Sequence, residues 1–143
     1  MNVLLPFERR ILTAVGASLD EPMRLLFDRQ LQCINKVQRL LAWNEIEFYC
    51  MSWFKVRWPE AVLFQNKAEF VLGSGQLSAD DETAQIHVWS VGGHVFSIES
   101  KTSLKPFRNV ASVSFTLSPN AAQQAAAPDA IKRAGERQRW AAT

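Results

Sequence analysis

Apolar residues recur at helical spacing over the first third of the chain and alternate at strand spacing over much of the rest. A first helix is predicted over residues 7–17 from the stripe formed by Phe7, Ile11, Leu12 and Val15. A second helix is predicted over residues 21–42, because Asp20 is a suitable cap and Pro22 falls in the first turn, where a missing N–H is harmless. Both predicted helices have their apolar residues mainly on one side, as helices packed on a core do.

Gln30 interrupts the apolar face of the second predicted helix. A buried amide must find hydrogen-bond partners or destabilise the fold by a few kcal/mol, roughly. We expect its side chain to bond to the backbone of a strand or loop. The alternative is a polar anchor inside a ligand pocket.

Strands are predicted over residues 45–57, 67–78 and 111–117, each from alternation of apolar and polar side chains. Pro59 ends the first of them, and in it Phe54 and Val56 fall on the apolar side. Gly73 and Gly75 in the second strand predict a bulge or sharp bend.

Residues 84–100 predict a β-hairpin, because two β-rich runs flank Gly92-Gly93, a dipeptide suited to a two-residue turn. Pairing Val91 with His94 would place Trp89 opposite Phe96 and His87 opposite Ile98. We expect the face shared by these side chains to pack on the helices, since it is the more apolar one.

Two helices followed by about five strands predict an α+β fold: two N-terminal helices packed on one face of a meandering antiparallel sheet. Residues 1–118 are predicted to form a single domain. Residues 119–143 are predicted to be an Ala-rich basic tail, in which Pro128 to Trp140 suits a short helix that Gly135 weakens.

The 143 residues are 48% hydrophobic, enough for one domain with a core. No apolar run approaches the roughly 20 residues of a membrane helix, and no basic segment precedes the short apolar start, so we expect a cytoplasmic location without a membrane partner. Residues 1–118 carry 12 basic and 12 acidic side chains, and the net charge of +2 resides in the tail. A neutral body argues against nucleic acid as the main partner.

No catalytic or metal-binding constellation stands out in the sequence, and no cofactor is predicted. His87 and His94 would lie about 14 Å apart along the hairpin, too far to share a metal ion. Gly73-Ser74-Gly75 lacks the spacing of a nucleophile elbow, and no glycine pair precedes a helix as phosphate-binding loops require. Cys33, in the second helix, and Cys50, in a strand, are expected to be buried thiols and not a disulfide.

The segment from Trp53 to Pro59 interleaves aromatic residues with two cations. Trp and Arg are enriched at the energetic centres of protein interfaces. We therefore predict a protein-interaction module that binds a partner, or a second copy of itself, through Trp53, Arg57 and Trp58, with Trp140 anchoring the tail.

An alternative is a small-molecule-binding protein or an enzyme with a pocket between the second helix and the sheet. Its polar groups would be Gln30, Tyr49, His87 and His94. A third possibility is nucleic-acid binding by the basic tail, which predicts binding that falls steeply with salt.

The N-terminal third resembles a family of small uncharacterised bacterial proteins. The resemblance is carried by Pro6-Phe7-Glu8 and Ile11-Leu12, and by Arg29-Gln30-Leu31, Val37 and Arg39. It implies a bacterial origin, an α+β layout and a recurring structural role for Gln30, and it carries no activity.

Overall fold

A computed structural model describes residues 3–119, which form two helices, a six-stranded antiparallel sheet and a separate two-stranded hairpin. The helices are α1 (Pro6–Ser18) and α2 (Met23–Cys33). The strands are β1 (Lys36–Arg39), β2 (Glu45–Tyr49), β3 (Met51–Ser52), β4 (Lys55–Val56), β5 (Phe70–Ala79), β6 (Glu82–Val91), β7 (His94–Ser100) and β8 (Ser114–Leu117). Single 3-10 turns cover Glu60–Val62 and Lys105–Phe107. The short helix predicted over residues 128–140 lies outside the described residues.

The first helix forms where the apolar stripe predicts it. Its stripe residues Phe7, Ile11, Leu12 and Val15 are fully buried. Pro6 occupies the first turn, and the Glu8 carboxylate accepts a hydrogen bond from the Leu5 N–H at 2.7 Å, which caps the helix. Glu8 is itself fully buried, so its charge needs a partner in the core.

Arg39 is that partner and joins the sheet edge to the helix layer. Its Nε and Nη2 atoms donate to the two Glu8 carboxylate oxygens at 2.8 Å each, and Nη2 also donates to the Val3 carbonyl at 3.1 Å. Both charges are thereby neutralised by a two-pronged, charge-assisted contact. The predicted second helix over 21–42 is wrong beyond Cys33, because residues 36–39 form β1 and carry Arg39 to this position.

The six strands follow the order β1-β2-β7-β6-β5-β8, with every neighbour antiparallel. This confirms the predicted α+β class with both helices on one face. Strands β5, β6 and β7 form a meander, while the β1–β2 hairpin adds to the β7 side and β8 to the β5 side. The core lies between the helices and the sheet and includes Phe7, Phe27, Phe48, Val88 and Ile98.

The Gly92-Gly93 turn is confirmed, with Val91 opposite His94 and both glycines at positive φ. Beyond it the predicted register is wrong. A bulge makes Phe96 an extra residue, so that Trp89 pairs with Ser97 and His87 pairs with Glu99. One inserted residue reverses the side-chain alternation beyond it.

The hairpin face that meets the helices is the one opposite to the face expected. Ile86, Val88, Val95 and Ile98 enter the core, whereas Trp89 clusters with Val71 away from it. The expectation that the face with His87, Trp89 and Phe96 packs on the helices is therefore wrong. Ile98 is the only member of that predicted face found in the main core, and it arrives there through the bulge.

Strand β5 contains the irregularity that its glycines predict. Its register with β6 shifts between Val71 and Gly73. A Cβ atom at Gly73 would lie 3.0 Å from a Val15 methyl group, so the missing side chain lets α1 lie close to the sheet.

Candidate interaction site

The two-stranded hairpin formed by β3 and β4 carries three of the five large apolar side chains that are exposed among the described residues. Its turn residues Trp53 and Phe54, here called the aromatic tip, are 88% and 97% exposed. Val56, on the following strand, is 54% exposed. Lys55 and Arg57 are exposed beside them, so two cations flank the aromatic tip.

The backbone of the aromatic tip is unusual for its residues. Trp53 and Phe54 have φ values of 51° and 66°. A two-residue turn with both residues in this region is normally built from Asn-Gly or similar pairs, because a Cβ atom is disfavoured there. Each large residue held in such a conformation costs about 1–3 kcal/mol, and such residues concentrate at functional sites.

The base of the hairpin is tied to the junction of α2 and β1. The Asn35 side chain accepts a hydrogen bond from the Met51 N–H at 2.8 Å and donates one to the Met51 carbonyl at 2.9 Å. The Arg57 N–H donates to the Cys50 carbonyl at 2.7 Å. These contacts fix where the hairpin leaves the domain.

The single strand predicted over residues 45–57 is wrong, and the error conceals the site. The chain turns back at Trp53 and Phe54 instead of continuing in the sheet. Phe54 and Val56, assigned by alternation to the apolar side of that strand, are consequently exposed. Two aromatic residues in a turn give no ordinary turn signal, so sequence reasoning missed Phe54 as a candidate interaction residue.

The predicted protein-binding residues separate in the structure. Trp53 and Arg57 are both on the exposed hairpin. Trp58 is half-buried, packs against the core and stacks on the His94 ring, with centroids 4.2 Å apart and ring planes 15° from parallel. Trp140 lies outside the described residues.

Gln30 is fully buried, and its amide hydrogen bonds go to backbone atoms. Nε2 donates to the Val62 carbonyl at 2.7 Å and to the Gly93 carbonyl at 3.2 Å, while Oε1 accepts from the Val95 N–H at 2.9 Å. This confirms the expectation of a bond to strand or loop backbone. The amide joins α2 to the first 3-10 turn and to the Gly92-Gly93 hairpin.

Two of the other residues of the predicted pocket, Tyr49 and His87, lie on the face of the sheet that points away from the core and from Gln30. Tyr49 alternates with the buried Phe48 and so projects from the opposite face of β2, where its hydroxyl donates to Glu47 at 2.6 Å. His87 is also on the outer face, with Nδ1 2.6 Å from the Ser74 hydroxyl. His94 bonds through Nδ1 to its neighbour's carbonyl, that of Val95, at 3.0 Å.

Ser74 and His87 form a hydroxyl–imidazole contact that the sequence did not reveal, because it depends on the pairing of β5 with β6. Ser74 is only 3% exposed. A serine nucleophile must reach its substrate, and a buried one does not. The contact is therefore a structural hydrogen bond between two paired strands.

Burial lowers the pKa of His94, and the nearby Lys67 charge lowers it further, against an opposing effect from the hydrogen bond to the Val95 carbonyl. The ring is therefore held in its neutral form at neutral pH. Since a carbonyl accepts the Nδ1 bond, the proton lies on Nδ1.

An open groove of about 720 Å³ lies between α1 and the segment before β8, lined by Leu4, Pro6, Arg9, Arg10, Thr13, Ala111, Ser112 and Val113. These residues do not include any of the predicted pocket residues. Within residues 3–119, no three His, Cys, Asp or Glu side chains are grouped so as to hold a metal ion. No helix in the same range has the length and apolar character needed to cross a bilayer.

No protein-family model matches the chain, and comparison with curated proteins and with solved structures found no match either.

Proposed function

We propose that this protein is an interaction module that binds a protein partner through the aromatic tip of the β3–β4 hairpin. The observation that carries the proposal is the exposure of Trp53 and Phe54 in a left-handed turn. The fold would be more stable with a polar, glycine-containing turn at this place, so the aromatic residues gain nothing for folding.

The size of the aromatic tip suits a small anchor that inserts into a partner's pocket. A Trp or Phe side chain buries roughly 150–250 Å² when it is enclosed. Truncation of such an anchor typically weakens binding by about 2 kcal/mol or more. Two adjacent anchors on a base fixed by Asn35 lose little conformational freedom on binding, which increases affinity.

The charges beside the aromatic tip indicate which charges the partner's binding surface should carry. Lys55 and Arg57 are exposed, whereas the body as a whole is electrically neutral. A partner with an apolar pocket and an acidic rim fits this arrangement, since rim charges steer association and select partners. The small-molecule alternative stays a prediction, as does the kinship with small uncharacterised bacterial proteins.

The test replaces the aromatic tip by the preferred turn sequence, Trp53→Asn with Phe54→Gly. Asn-Gly suits the observed backbone, so the thermal midpoint should be unchanged or higher. Binding to a partner identified by photo-crosslinking from residue 54 should weaken at least about 30-fold, measured by titration calorimetry.

The matched control changes two exposed apolar residues elsewhere, Leu25→Ser with Leu41→Ser, which are 49% and 101% exposed. This variant should bind as the unmodified chain does. Equal affinity of the Asn-Gly variant and the unmodified chain would refute the proposal. So would crosslinking from residue 54 to lipid alone.

A further inference from the structure

Cys33 and Cys50 are brought together at the base of the hairpin although 16 residues separate them in the sequence. Cys33 is the last residue of α2, and Cys50 lies between β2 and β3. The Asn35 N–H donates to the Tyr49 carbonyl at 3.0 Å, and the Asn35 side chain bonds to both the N–H and the carbonyl of Met51. The two chain segments are thus held side by side.

The Cys33 side chain is a neighbour of the Cys50 thiol and interacts with it. Both are free, as expected, but both are partly accessible to solvent, so the expectation that they are buried is wrong. Burial raises the pKa of the Cys50 thiol, and the neighbouring Cys33 raises it further. Two accessible thiols in contact have chemistry that neither has alone, because one can resolve an oxidised form of the other.

We propose that Cys33 and Cys50 form a redox-active dithiol that closes to an intramolecular disulfide on oxidation by a peroxide. One thiolate attacks the peroxide oxygen, which gives a sulfenic acid and releases water. The second thiol then displaces the sulfenic hydroxyl as water and forms the S–S bond. The sum is two thiols and one hydrogen peroxide giving one disulfide and two waters.

Closure would link the C-terminus of α2 covalently to the base of the hairpin. The closed loop contains β1 and β2, so the cross-link restricts the unfolded chain over that length. We expect the thermal midpoint of the oxidised form to rise by about 5 °C or more. The inference is independent of the partner proposal, because closure is measured on the isolated chain.

The experiment treats the full chain with hydrogen peroxide under native conditions and follows its intact mass. We expect a loss of about 2 Da, full reversal by dithiothreitol and a linked peptide joining Cys33 to Cys50. Phenylarsine oxide, which bridges adjacent thiols, should add once to the reduced chain and not to either single variant, Cys33→Ser or Cys50→Ser.

A matched control keeps two thiols and moves one of them to β5, as in Cys50→Ser with Ser78→Cys. Its closure should be at least about tenfold slower, because β5 is three strands away from β2 in the sheet. Stepwise oxygen addition to the unmodified chain without the loss of about 2 Da would overturn the proposal. Equal closure rates for the control and the unmodified chain would overturn it as well.

Discussion

Gln30 lies on the apolar face of α2 and is fully buried, yet it is a polar residue. Its amide is surrounded by the backbone of two other segments, the Glu60–Val62 turn and the start of β7, whose polar groups would otherwise be unpaired. One side chain therefore satisfies both a carbonyl and an N–H inside the core. A hydrophobic residue of the same size would pack there and leave those groups without partners.

We expect Gln30→Leu to lower the free energy of unfolding by about 2–4 kcal/mol, since each buried group left unpaired costs about 1–3 kcal/mol. Urea denaturation followed by circular dichroism measures the change. Gln32→Leu, on the exposed side of the same helix, is the control and should shift stability by about 0.5 kcal/mol or less. A loss below about 1 kcal/mol for Gln30→Leu would mean that the amide is not a structural tie.

Helices and strands match the prediction where the apolar periodicity of the sequence agrees with the pairing of strands in the folded protein. They differ from the prediction where the two conflict. Residues 36–39 continue the helical spacing of α2, but they pair with β2 as an edge strand. Pairing satisfies their backbone groups and brings Arg39 to the buried Glu8 charge. The tertiary contacts therefore override a helical pattern that is local in origin.

Gly75 determines whether the edge strand β8 can dock on β5. A Cβ atom at this position would overlap the Thr116 carbonyl oxygen and lie 2.7 Å from the Phe115 ring. Neither neighbour can move without breaking the pairing of Gly75 with Leu117 and Leu77 with Phe115. The glycine is required for space and not for an unusual backbone angle.

We expect Gly75→Ala to lower the free energy of unfolding by about 2–4 kcal/mol and to speed hydrogen exchange at the amides of β8. Gly73→Ala is the comparison, because its Cβ would meet only side-chain atoms, the nearest being a Val15 methyl group at 3.0 Å, which a small shift of α1 relieves. Its loss should be about 1 kcal/mol. Equal losses for the two variants would contradict this explanation.

At the scale of the whole molecule, several segments converge where the Gly92-Gly93 turn meets the loop after β4. The Phe64 N–H donates to the Gly93 carbonyl at 2.7 Å, and the Gly92 N–H donates to the Lys67 carbonyl at 3.0 Å. His94 lies in this region, stacked on Trp58, with a pKa lowered by burial. The folded junction therefore favours the neutral form of His94 over the charged form.

We expect global stability to fall as the pH is lowered from about 7.5 towards 5, and His94 to contribute to the fall. A depressed pKa in the folded state means that the contribution is complete above the unfolded pKa, about 6.5, and is lost as the pH falls through the folded value. His94→Phe keeps a ring against Trp58 and cannot titrate, so its decline should be smaller. Parallel stability curves for the two proteins between pH 7.5 and 5 would exclude this role.

The sequence by itself determined the fold class, the first helix, the Gly92-Gly93 turn and the irregularity in β5. Each of these depends on short-range physics: apolar periodicity, a turn that demands positive φ, and a strand without side chains at Gly73 and Gly75. Gln30 belongs with them, since a polar residue on an apolar helix face must be paired wherever it is buried.

Only the tertiary structure decided the strand identity of residues 36–39, the bulge at Phe96 and the reversal of the chain at Trp53 and Phe54. These features arise from pairing between distant segments, which supplies hydrogen bonds and burial that a local pattern does not contain. The exposed aromatic tip and the proximity of Cys33 to Cys50 follow from that pairing. Both candidate sites are thus products of the way the chain folds back on itself.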